Sequence, residues 1–276
     1  MNLTVEVSED SVVEENALIT IERENFRKLH DAVKLIVESN CTDCMIENGV
    51  IRQPTNDRQS MVSVDLSTIF PDLSVGLSNA KQKVGLMAII LNVDESVKLK
   101  DQNVHIQIFE KNFTMYDERW EYTLSKPLPE LLDNKFIPAE AFAKQVVRNE
   151  EDLIMSTNMD PDIIRGIRSN CDLFQNSMVI FSLEGSNADI RMAENSNTNS
   201  GKIQSNISLN VTDFPKRQFR MFSLPFKMDL NSSMQIDVYK LKGEKQKDDC
   251  LVHCQMELDG SIPVNVYTKV RLVEVK

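Results

Sequence analysis

Lysine and arginine without acidic neighbours are the residues of this chain best suited to hold a ligand, and they come in two blocks. Leu73–Val93 contains no Asp or Glu and carries Lys81 and Lys83. Phe214–Met228 contains none either and carries Lys216, Arg217, Arg220 and Lys227. A third acid-free stretch, Asn195–Thr212, has a single Lys. Elsewhere acid dominates: 42 Asp and Glu against 31 Lys and Arg give a formal net charge of −11. Cations gathered in two places on a repulsive body suit a local polyanion site, with phosphate as the natural ligand group. The two blocks are also regularly placed: 217 − 81 = 136, close to half of 276 residues.

Other chemistry is harder to assemble. Cys41-x-x-Cys44 and Cys250-x-x-x-Cys254 with His253 offer enough ligands for zinc. However, Cys250, Val252 and Cys254 fall on one side of an alternating strand and His253 on the other, so no metal is expected. Five Cys with no export signal in MNLTVEVSEDSVVEEN suit reduced thiols and a cytoplasmic or host-cell interior. His30, His105 and His253 stand on separate elements and form no catalytic set. No G-x-x-x-x-G-K-[ST] or G-x-G-x-x-G segment is present. The chain therefore reads as a non-enzyme with no cofactor. No apolar run approaches the ~18 residues of a membrane span.

The elements that must position the cations follow from periodicity. Ala17–Ile21 reads as a strand. Phe26, Leu29, Val33 and Ile36 then share one helical face. Met45–Ile51 and Met61–Leu66 read as strands, and Ala80–Leu91 as a helix carrying Lys81 and Lys83. Val97–Leu99, Val104–Phe109 and Phe113–Leu124 read as strands. Residues 126–138 hold Pro127, Pro129 and Pro138 and read as a linker. In the second half Leu153–Met155 is a strand, and Asp160-Pro161 opens a helix with Asp at the cap and Pro at its first position. That helix carries Arg165 and Arg168 three apart. Met178–Leu183, Ala188–Met192 and Ile203–Val211 are expected strands, Phe214–Leu224 a basic helix, and Met234–Leu241, Leu251–Leu258 and Val264–Val275 strands. Each half thus reads strand, helix, strands, basic helix, strands.

In this order and spacing the chain resembles the two-domain DNA polymerase sliding clamps, the family of proliferating cell nuclear antigen and the T4-like phage clamps. The first helix followed by Met45-Ile46-Glu47-Asn48-Gly49-Val50-Ile51-Arg52-Gln53-Pro54-Thr55-Asn56-Asp57-Arg58 and Val62-Ser63-Val64-Asp65-Leu66 is similar to the start of phage-type clamps. Phe222-Ser223-Leu224-Pro225-Phe226-Lys227, then Met234-Gln235-Ile236-Asp237-Val238-Tyr239, resembles the last helix and following strand of a clamp subunit. The mid-chain Pro-containing connector is the third point of likeness.

The resemblance implies an α+β fold of two tandem clamp-type domains, residues 1–125 and 146–276, joined by a connector at 126–145. Helices would line the inner face of curved antiparallel sheets, and three copies would close a ring around double-stranded DNA. It places Lys81, Lys83, Arg165, Arg168, Lys216, Arg217, Arg220 and Lys227 toward the channel, with Arg27, Lys28 and Lys34 as weaker candidates. It makes a DNA polymerase and a clamp loader the expected partners, docking on Leu128, Leu131, Leu132, Phe136 and Ile137 of the connector. It puts the subunit interface between Phe113–Leu124, with Tyr116, Trp120 and Tyr122, and Lys202–Asn210, with Ile203 and Ile207. A replication processivity factor of viral type is the expected function. The alternatives are a clamp-like viral transcription tether and an α+β interaction protein that never encircles DNA.

Overall fold

The computed structural model describes residues 17–22, 25, 26, 28, 46, 47, 50–54, 60–67, 103–108, 112–116, 118, 121–125, 144, 146, 148–173, 178–193, 200–209, 213–222, 226, 232–241, 248–258 and 260–275. Antiparallel sheet dominates. In chain order the strands are β1 (Ala17–Glu22), β2 (Ile46–Glu47), β3 (Val50–Pro54), β4 (Ser60–Asp65), β5 (Asn103–Ile108), β6 (Asn112–Tyr116), β7 (Glu121–Ser125) and β8 (Leu153–Met159). Helix α1 (Pro161–Leu173) comes next. The chain continues with β9 (Met178–Gly185), β10 (Asn187–Ala193), β11 (Ser200–Ser208), β12 (Phe214–Phe222), β13 (Met234–Lys240), β14 (Asp249–Leu258), β15 (Ile262–Arg271) and β16 (Val273–Glu274). Asn25, Phe26 and Lys28 are also helical, as is Phe226. Among the described residues, no helix is long and apolar enough to cross a membrane.

Three sheets result. Their strand orders are β1-β5-β6-β7, β11-β10-β9-β12-β16, and β2-β3-β4-β15-β14-β13-β8. The seven-stranded sheet joins early and late chain: β4 pairs with β15, Val64 opposite Val264 and Val62 opposite Val266. Period-2 alternation explains why these residues make strands. Ile262, Val264, Val266, Thr268 and Val270 are buried, while Pro263, Asn265 and Tyr267 are half-buried and Lys269 and Arg271 exposed. The buried face meets Val62, Val64, Val252, Cys254, Ile236 and Val238, all fully buried. A buried Ser60–Thr268 hydroxyl pair at 2.9 Å satisfies the polar atoms at the end of this contact.

Two expected strands are hairpins. Met45–Ile51 divides into β2 and β3, with Glu47 opposite Val50 and Asn48-Gly49 between them, the residue pair that two-residue hairpin loops favour. Phe113–Leu124 divides into β6 and β7, Tyr116 opposite Glu121. The larger correction concerns Phe214–Leu224, expected as a basic helix. It is the strand β12. Phe219 and Met221 are buried and Arg220 exposed, a period of two. Phe219 stacks on Phe181 of β9, ring centroids 4.8 Å apart. Pro215 sits where the β9–β12 register shifts, a position that tolerates the missing N–H. Among the described residues of this region the helical one is Phe226, just past Pro225.

Helix α1 starts as expected, with the Ile164 N–H donating to the Asp160 carbonyl at 3.1 Å. Ile164 and Ile167 are buried, and the helix packs on β10 and β11. The core therefore lies between α1 and the sheet face bearing Phe181, Leu183, Ile190 and Phe219.

Candidate nucleic-acid interface

The outward side of α1 carries the arginines. Burial of Ile164 and Ile167 fixes the rotation of the helix, so Asp162, Arg165 and Ser169 are exposed and Arg168 lies at the flank, half-buried. Arg165 forms an ion pair with Asp162 one turn earlier. Both partners are well exposed, so the pair contributes only about 0.2–0.5 kcal/mol and leaves the guanidinium available to an anion. Lys81 and Lys83, the expected cations of the first half, lie outside the described residues, as does Lys227. So do the connector residues Leu128, Leu131, Leu132, Phe136 and Ile137, and Trp120.

The structure separates the remaining basic residues from α1. Lys216, Arg217 and Arg220 stand on β12 and not on a helix. Arg220 alternates with Phe219 and Met221, so it leaves the sheet on the face away from α1. Lys216 pairs with Glu184 at 3.4 Å. Arg217, about three-quarters buried, donates to Asp248 at 2.6 Å and lies 3.6 Å from Glu274. The Leu272 N–H donates to the Asp248 carbonyl at 2.7 Å. Arg217 is thus a clasp between β12, the start of β14 and the C-terminal strand. Beside it, Asp249 accepts from Arg271 at 3.0 Å and Lys269 at 3.2 Å. Burial alone would raise its carboxyl, but those two cations hold it below the ordinary value.

Six strands end the three ladders, and β7 and β11 are two of them. Among the described residues, β7 has a strand partner on the β6 side only, and β11 on the β10 side only. Tyr122 lies on β7 and Ile203 and Ile207 on β11, at these two edges, while Tyr116 lies one strand in, on β6. Ile207 is buried within its own chain, so its side chain supports the edge from behind.

Sequence reading missed a feature of the sheet faces. His105 stacks on Tyr116 with ring centroids 5.0 Å apart, and His253 on Tyr267 at 4.2 Å. Each pair sits in a cross-strand row that starts at a hydroxyl: Thr20, His105, Tyr116, Glu121 in one sheet and Ser156, Asp237, His253, Tyr267 in another. The Thr20 hydroxyl lies 3.0 Å from His105 Nδ1. Buried Asp237 accepts from Ser156 at 2.7 Å and Gln235 at 2.9 Å. Burial lowers the His253 pKa, against the Asn265 hydrogen bond and the Asp237 charge, which raise it. The usable signal was the spacing of polar residues on alternating strands, which a search for short motifs does not see.

The second half of the Cys/His set is divided between the two faces of β14. Cys250 and Cys254 are buried on the core side of β14, and His253 leaves the opposite face toward Asn265 and Tyr267. Among the described residues no cluster of three His, Cys, Asp or Glu could hold a metal ion. Cys41 and Cys44 lie outside them.

The arrangement has known counterparts. The PCNA of A. fulgidus, solved with the C-terminal region of FEN-1, superimposes with a TM-score of 0.59 at 15% identity, over 94% of this chain and 99% of that one. The fold is that of the sliding clamps. The Helicobacter pylori beta clamp gives 0.58 at 12% identity, over 98% of this chain and 69% of that one. The DNA polymerase III beta subunit of Pseudomonas aeruginosa gives 0.56 at 14%, over 98% and 69%. No family model and no curated protein matches the sequence. The clamp fold is thus legible in shape at an identity too low to carry residue roles across.

Proposed function

We propose that this chain is a sliding clamp, a non-catalytic ring of three copies that encircles duplex DNA and tethers replication proteins to it. The observation that carries the reading is the contrast between the closed β4–β15 junction and the two edge strands, β11 and β7, that correspond to its members in the repeat. The order β1-β5-β6-β7 has its counterpart in β8-β13-β14-β15, and β2-β3-β4 in β9-β10-β11. Within the chain, β4 of the first half joins β15, the last long strand of the second. The same rule applied once more would join β11 to β7. Among the described residues both are edge strands, and the repeat rule supplies β7 from a second copy. Head-to-tail pairing of that kind continues until it closes on itself. Two domains per chain, 1–125 and 146–276 on either side of a connector at 126–145, then give six domains from three copies.

In such a ring α1 would face the hole, and Arg165 and Arg168 would meet phosphate, with Lys81, Lys83 and Lys227 as further channel cations. Lys216, Arg217 and Arg220, expected in the channel on a helix, stand on β12, and the reading does not rest on them. Phosphate contacts from mobile cations hold DNA without reading its sequence, so the ring slides, and topology supplies retention. The connector residues Leu128, Leu131, Leu132, Phe136 and Ile137 would dock polymerase and loader segments.

The test is native mass joined to DNA topology. Light scattering should give three times 31.5 kDa, and protein placed on nicked circular DNA should remain there but escape from linear ends. Arg165→Ala with Arg168→Ala should lower the slope of log affinity against log salt by about 1 per lost contact. A 31.5 kDa monomer indifferent to DNA topology overturns the reading.

A further inference from the structure

The face of the five-stranded sheet away from α1 carries a second basic feature, separate from the proposed channel. Arg191 on β10 lies opposite Ile180 on β9, and Ile180 opposite Arg220 on β12. The three residues form a row across the sheet. Ile180 is 9% exposed between two exposed arginines. Among the described residues neither Arg191 nor Arg220 has an ion-pair partner. Lys202 takes the next register position, opposite Arg191 on β11. A groove of about 690 Å³ opens beside this row, floored by Ser182, Gln218 and Asp189 and bordered by Arg191, Lys216 and Val275. Two acids complicate the charge. Glu184 is neutralised by Lys216, and Asp189 is itself engaged.

We propose that this groove and the Arg191–Arg220 row bind an acidic peptide segment in the polyproline II conformation, its carboxylates three residues apart. Strand spacing sets the match. Arg191 and Arg220 are two strands apart, roughly 10 Å, and a polyproline II chain, with three residues per turn and a rise of ~3.1 Å per residue, brings residues three apart to one side over about that distance. A guanidinium takes a carboxylate through two parallel N–H donors. Ser182 and Gln218 supply hydrogen bonds to the peptide backbone, and Val275 an apolar contact. Charge favours a peptide over a duplex. A duplex laid across this face would bring its phosphates onto Glu184 and Asp189, whereas a narrow segment threads between them.

The experiment uses a fluorescein-labelled twelve-residue peptide with Glu at every third position in a Ser/Thr background, its Gln counterpart, and a labelled duplex. Anisotropy at low salt should show the Glu peptide bound and the Gln peptide at least about tenfold weaker. Arg191→Gln with Arg220→Gln should weaken the Glu peptide by a similar factor, while Arg165→Gln with Arg168→Gln leaves it unchanged and weakens the duplex. Both row arginines are exposed, so the double variant keeps its thermal midpoint. Equal binding of Glu and Gln peptides, peptide binding that survives the row substitutions, or duplex binding that falls with the row substitutions as far as with those on α1 would each overturn the proposal. None of these outcomes touches the ring reading, which rests on native mass and DNA topology.

Discussion

The β4–β15 junction and the β7 and β11 edges are the same kind of surface in two conditions. At the junction, Val62 and Val64 meet Val266 and Val264 across the ladder, and the Ser60 and Thr268 hydroxyls satisfy each other. At the edges, β7 offers Glu121-Tyr122-Thr123-Leu124-Ser125 and β11 offers nine residues from Ser200, each with one side of its ladder unpaired among the described residues. The junction forms within one chain, whose covalent continuity keeps both strands at high effective concentration. An edge-to-edge contact must also offset the translational and rotational freedom lost on association. The difference explains how one strand geometry can serve as a permanent joint in one place and, in the proposed ring, as an opening one in the other.

Three changes probe that comparison. Val266→Asp places a carboxylate in the fully buried side of the junction. It should cost several kcal/mol, about 3–5, and remove the cooperative urea transition at room temperature. An unchanged midpoint would mean that the junction contributes little to folding. The open edge calls for a milder change. Neighbouring N–H groups of a strand point to opposite sides, so of Tyr122→Pro and Thr123→Pro one cuts a bond to β6 and the other only the donor on the open side of β7. The second should leave thermal unfolding within a few degrees of the parent while lowering the native mass to that of one copy. Retention of the larger mass would place the subunit contact elsewhere.

The smallest effect concerns the row that ends at the junction, where Tyr267 lies opposite Met61. Burial lowers the His253 pKa from 6.5 in the folded protein. The unfolded chain therefore binds more protons as pH falls through and below that value, and stability drops in the same direction. His253→Gln keeps the polar row and should flatten stability against pH from about 7 to 5, a change of roughly 1 kcal/mol or less. The Asp249 carboxyl, held low by Arg271 and Lys269, should still produce a second loss near and below pH 4.

Periodicity disclosed what local burial dictates. The strands at Ala17–Glu22, Met234–Lys240 and Asp249–Leu258, and the Asp160-Pro161 helix start, are where alternation or capping placed them. Phe214–Phe222 went astray because three cations and a downstream proline resemble a helix face, while the deciding fact is long-range: Phe219 finds Phe181, and Met221 finds Val179, on β9. Arg165 and Arg168 could be placed from the sequence because their helix is amphipathic. The row joining Arg191 to Arg220 could not, since 29 residues separate them in sequence and only the β9 ladder brings them to one face. Pairing of β4 with β15 spans the chain for the same reason.

Cys250 and Cys254 invite one more consequence. Their thiols are sealed in the core of the seven-stranded sheet, burial pushing Cys250 up to about 12 and Cys254 further still. A thiol that cannot ionise is silent toward alkylating reagents. Both sit on β14, two strands from β4, so they become reactive only when the sheet that welds the two halves of the chain comes apart. The molecule thereby carries its own clock for that event, one that ignores fraying at the open edges and counts only the failure of the joint.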